Sequence, residues 1–166
     1  MMIALAILLL VLALGFTFNN YVNKSFNISN EQSEVQFNVR MAKERIENLV
    51  RFADNIEILA VWDTGLIEES TFEGIYTDET GSLIYNQNGT ATNLLAGISD
   101  DIDYEITFNN KDQVFLLCNI GGETTGGYSY ELSTELQILN VEEDTGIIKD
   151  FGDASTTGTA IVFNFE

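Results

Sequence analysis

The chain has 166 residues, no His, no Pro, one Cys and a formal net charge of −19. Without His, Ser–His and Cys–His nucleophile pairs are excluded, and one Cys cannot form an intramolecular disulfide. An acidic surface of this strength repels nucleic acid and anionic lipid, while a hydrophobic content of 45% is too high for a disordered chain.

The charge is unevenly spread. Residues 1–53 hold five Lys/Arg against four Glu, and residues 54–166 hold two Lys against 22 acids. The chain therefore reads as two parts, 1–55 and 56–166, with different electrostatics. The first opens "MMIALAILLLVLALGFTF", with no charge from Met1 to Phe18. A secretory signal needs a basic n-region, and no Lys or Arg precedes Lys24. A single membrane anchor is also conceivable, because eighteen helical residues span about 27 Å, near the lower limit for a hydrocarbon core. Basic residues lie only on the C-terminal side of the run, which by the positive-inside rule puts the large acidic part in the cytoplasm. That part reads as extracellular, and a cleaved basic leader ahead of Met1 removes the conflict. The third reading is a packing surface within a larger assembly, with Ile3, Leu5, Ile7, Leu8, Leu10, Val11, Leu14 and Phe18 as its core.

"NNYVNKSFNISN" (19–30) follows, either a weak continuation of the helix or a melted link. From Glu31 the pattern sharpens. Val35, Val39, Ala42, Ile46, Leu49, Ala53 and Ile56 recur at steps of four and three, a heptad stripe. Lys43–Glu47 and Glu47–Arg51 are i,i+4 pairs. This predicts a helix over about 31–55, with the stripe facing the protein's own sheet rather than a coiled-coil partner.

Beyond Asp54 the signal is β. The runs 56–62, 72–77, 82–85, 102–108, 113–120, 127–133, 136–141 and 159–165 are rich in branched and aromatic residues, and Gly/Asn/Asp turns separate them. In "IDYEITF", Ile102, Tyr104, Ile106 and Phe108 share one face. About eight strands with no second long helix predict an antiparallel sandwich. The expected fold class is α+β: a long N-terminal helix, hydrophobic then amphipathic, followed by an all-β, immunoglobulin-like head.

Chemistry is sparse. Cys118 sits in the apolar run "VFLLCNI" and reads as a core residue. "GGETTGG" (121–127) lacks the Lys-Ser/Thr of a phosphate loop and reads as a hairpin connection. "SDDIDYE" (99–105) and "VEEDTG" (141–146) gather carboxylates without EF-hand spacing; a solvated turn is the simpler reading and a Ca²⁺ site the alternative. No catalytic residue, cofactor site or metal site is assigned, and no enzyme activity is expected. Asn23, Asn27 and Asn88 stand in N-x-Ser/Thr sequons and are the glycosylation candidates. Asn88 also opens an Asn-Gly hairpin turn.

An uncharged apolar helix running into "MAKERIENLVRFADNIEI", followed by a β-rich head, resembles the type IV pilin superfamily. The resemblance covers residues 1–58 and says only "β-rich head" of the remainder. No Glu precedes Glu31, the helix has no Pro and a C-terminal disulfide is impossible. These departures from the bacterial pattern favour the archaeal adhesive pili and archaella, with a bacterial minor pilin or pseudopilin next. The resemblance implies a structural subunit of an extracellular helical filament for adhesion or motility. Its partners are then identical subunits, the membrane before assembly, a prepilin-type peptidase, and an assembly ATPase with its platform protein. The alternative is a membrane-anchored binding or sensor module held by one helix.

Overall fold

Helix α1 runs unbroken from Met2 to Val50 in the computed structural model, which describes residues 2–62, 72–98, 101–112, 114–140, 148–150 and 157–165. Its 49 residues reach about 73 Å at 1.5 Å per residue. The Asn-rich link at 19–30 is helical throughout. There the side chain of Asn23 reaches Asn19 one turn earlier, and just upstream the Thr17 hydroxyl donates to the Ala13 carbonyl at 2.8 Å. Its polar side chains are thus partly satisfied within the helix itself.

The helix stops about five residues short of the expected end. Its last turn is captured by tertiary partners: the Leu139 amide donates to the Arg51 carbonyl at 2.8 Å, and the Asn140 amide group donates to the Phe52 carbonyl at 2.7 Å. Those carbonyls have no intrahelical partner near a terminus, so the segment after a later strand supplies one. Ala53 consequently sits in the turn after the helix, and Ile56 lies on the first strand rather than on the helical stripe.

Nine strands follow among the described residues: β1 Asn55–Leu59, β2 Glu73–Thr77, β3 Leu83–Gln87, β4 Thr90–Asn93, β5 Ile102–Asp112, β6 Phe115–Thr124, β7 Ser129–Gln137, β8 Ile148–Asp150 and β9 Ala160–Asn164. They form a six-stranded sheet ordered β4-β3-β2-β9-β1-β8 and a three-stranded sheet ordered β5-β6-β7. All pairings are antiparallel except β1 with β8. The class is α+β, as expected. β4 and β8 had no strand signal in the sequence, because "TATN" and "IKD" are too short and polar to carry one. The run at 136–141 is not a strand of its own: Leu136 and Gln137 end β7, and residues 138–140 are irregular.

Two turns are readable from local chemistry. Asn88 and Gly89 both have positive φ, 53° and 79°, which is the type I′ geometry of a two-residue hairpin. The Gly89 amide donates to the Asn86 side chain at 3.0 Å. The glycine-rich run at 121–127 is half strand, since β6 continues to Thr124 and the turn occupies only the residues after it.

One core joins the helix to both sheets. Val35, Val39, Ala42, Ile46 and Val50 from α1 are buried with Ile56 and Ile58 of β1, Ile75 of β2, Phe163 of β9 and the inner faces of β5 and β6. Tyr104, Ile106 and Phe108 alternate with exposed or half-buried neighbours along β5 and point into this core. A second, smaller cluster lies on the other face of the six-stranded sheet, where Trp62 stacks on Tyr76 with ring centroids 4.1 Å apart.

Candidate assembly surface

The buried stripe of α1 begins only at Val35. From Met2 to Asn27 every residue is exposed, although this includes a stretch of mean hydropathy 2.5 with none of it buried inside the chain. Ile3, Leu5, Ile7, Leu8, Leu10, Val11, Leu14 and Phe18 are all more than half exposed. By length and composition this helix could cross a membrane. Apolar residues on all faces need lipid or protein around them, since each Leu or Ile buried is worth about 1.5–3 kcal/mol.

The second half of the helix is held by a different chemistry. Among the residues expected to pack against the head, Val35, Val39, Ala42, Ile46, Ala53 and Ile56 are buried, and Leu49 is partly buried against the same core. Sequence reasoning missed Asn38 and Val50, which are also buried. A polar residue at a stripe-adjacent position gives no signal for burial, and Val50 follows Leu49 off the strict heptad. Neither amide atom of Asn38 has a hydrogen-bond partner.

A side-chain contact ties the helix to the head, and ion pairs run along the helix itself. The Arg45 guanidinium donates to the Leu94 carbonyl after β4. Glu47 accepts from both Lys43 and Arg51, and the Lys43 hydrogen bond is the main reason its carboxyl titrates below the ordinary value, with Arg51 adding to the effect. Tyr104 reaches toward the helix from β5; burial raises its hydroxyl to about 12, and the charge of Glu34 adds to this. Glu31 lies over Gly126 in the β6–β7 hairpin, where a side chain would collide with its carboxylate.

The outer face of the three-stranded sheet is acidic. Asp103 on β5 stands directly opposite Glu123 on β6, and Gly121 lies between Glu105 and Glu131. A shallow trough of about 420 Å³ lies among these carboxylates, with Gly121 and Gly122 in its lining. Asp101, Asp103 and Glu105 of "SDDIDYE" are exposed; residues 99–100 and all of "VEEDTG" lie outside the described residues. Cys118 is fully buried, and burial pushes its thiol up to about 12. Asn23, Asn27 and Asn88 are exposed.

The chain shares its fold with a minor pilin. It superposes on the D319A mutant of the PilB minor pilin from Streptococcus sanguinis with a TM-score of 0.61 at 12% sequence identity. The match covers 81% of this chain and 35% of that one, so the chain spans about a third of the length of the protein it resembles. No family model and no curated protein matches the sequence.

Proposed function

We propose that the chain is a pilin-like structural subunit of an extracellular helical filament, polymerising through α1. The observation that carries this reading is the combination on one helix of an uncovered apolar first half and a second half seated in a β-rich head. The likeness of fold to a minor pilin supports it. Residues 1–55 form the filament core and residues 56–166 the surface-exposed head. Before assembly the apolar run resides in the membrane; after a leader is removed by a prepilin-type peptidase, an ATPase-driven platform transfers it from lipid to the helix bundle. The acidic heads face water and serve adhesion or motility. The Pro-free helix and the single Cys favour an archaeal filament, and the solved bacterial minor pilin of the same fold supports the bacterial alternative. Asn88, at the tip of an exposed type I′ turn, is the sequon most open to a glycosylating enzyme, and Asn23 and Asn27 lie on exposed helix.

The test is electron microscopy of cells or membranes expressing the chain, beside a Val11→Asp variant. A charge in a dry bundle costs several kcal/mol, so the parent should form thin filaments and the variant none, with the head still folded. Filaments of normal abundance from Val11→Asp would sink the helix-bundle model.

A further inference from the structure

One flank of α1 is unaccounted for by the chain's own packing. At about 100° per residue, the stripe Val35–Val39–Ala42–Ile46 points one way, and Phe26 and Phe37 point almost directly away from it. Phe37 is 57% exposed although it lies beside the head, and Phe26 is 63% exposed. Around Phe37 the same flank is otherwise polar, with Ser33, Arg40 and Glu44. Two aromatic knobs thus project from a face that nothing in the chain covers.

The apolar run carries a matching pair of small residues. Ala4 and Gly15 lie within about 60° of the same flank. Gly15 is the one glycine in the helix, and glycine is the least helix-favouring residue after proline. The chain itself supplies no reason for it: a Cβ built there meets nothing within 4 Å. A helix that carries a Gly with open space around it has room for another backbone or a large side chain to approach closely.

The spacings agree. Phe26 and Phe37 are 11 residues apart, and so are Ala4 and Gly15. Two parallel copies of α1 offset by 22 residues, about 33 Å along the axis, therefore bring both knobs over both small residues at once. We infer that α1 docks on a second copy of itself in this register, Phe37 packing over Gly15 between Val11 and Phe18, and Phe26 packing over Ala4. The contact is knobs-into-holes packing. It is heterologous, because the upper half of one helix meets the lower half of the next, and such contacts propagate into open helical polymers. The inference rests on the filament reading and adds to it the face, the register and the anchoring residues.

The experiment replaces Phe37 with the photoreactive aromatic p-benzoylphenylalanine in the full chain, which keeps the knob. Assembled material is irradiated and the adducts are mapped by mass spectrometry. The expected result is an intermolecular adduct within residues 11–19 of another copy, reduced at least tenfold by Gly15→Leu on the acceptor. Position 26 carrying the same probe should mark residues 1–8. Filaments whose adducts fall in the head, or that form equally well with Gly15→Leu, would overturn this register and leave the filament reading standing. Absence of filaments from the unsubstituted parent chain would overturn both.

Discussion

Gly122 on β6 lies directly beneath Val39 of α1: a Cβ at 122 would stand 2.8 Å from Val39 Cγ2 and 3.2 Å from Ile102 Cγ2. The helix descends onto the sheet where a strand has no side chain. Both obstructing groups belong to β-branched residues with restricted χ1, so neither moves aside cheaply.

Gly122→Ala should therefore destabilise the head by about 1–3 kcal/mol, as overpacking does. Val39→Ala in the same chain should recover part of the loss, because it removes the colliding methyl. Denaturant midpoints of the full chain in detergent measure both, and additive losses in the double variant would show that the two positions do not meet.

Asn38 makes the opposite prediction. It is 1% exposed with no partner for either amide atom, and an unsatisfied buried polar group costs about 1–3 kcal/mol. Asn38→Leu, close in volume and apolar, should raise the thermal midpoint by several degrees. A lowered midpoint would reveal that an ordered water completes the amide's hydrogen bonds.

Glu47 links helix stability to pH. Its folded pKa is depressed by Lys43 and Arg51, so the stabilisation is present above the unfolded carboxylate value, near 4.3, and fades as pH falls through the folded one. The carboxylate is 22% exposed and Arg51 is 40% exposed, which limits the effect to about 1 kcal/mol or less. Glu47→Gln should be less stable than the parent at pH 7, with the gap narrowing as pH falls below the unfolded value. A gap that does not narrow as the carboxylate is protonated would assign the loss to something other than charge.

The Cys118 thiol, fully buried and with its pKa raised to about 12, should resist maleimide at pH 7–8 in the native chain and react once the head is denatured. Rapid labelling of native protein would contradict the placement of β6 in the core.

On the filament reading proposed above, the assemblies should survive low pH and high salt but associate side by side under either. Residues 54–166 carry a balance of −20, which salt screens over a Debye length near 10 Å at 0.1 M and which protonation near pH 4 removes. The apolar helices respond to neither. Micrographs across pH 4–8 would test this. Dissolution into monomers on acidification would show that charge pairs hold the assembly.

The sequence by itself determined the two halves of α1 and most of the sheet. Burial patterns repeat at 3.6 residues in a helix and at 2 in a strand, so Val35–Ile46 and Ile102–Phe108 disclose their inward faces without any partner in view. Hairpin chemistry was equally local: Asn88-Gly89 specifies its turn whatever surrounds it. Only the tertiary structure decided where α1 stops, because the irregular segment after β7 takes the Arg51 and Phe52 carbonyls from a distance of nearly ninety residues in sequence. It alone supplied β4 and β8, whose short polar segments become strands by pairing with β3 and β1. The burial of Asn38 and the closeness of Val39 to Gly122 are likewise properties of one surface laid on another. Periodicity along a chain records which side of an element is apolar, and it carries no information about what that side meets.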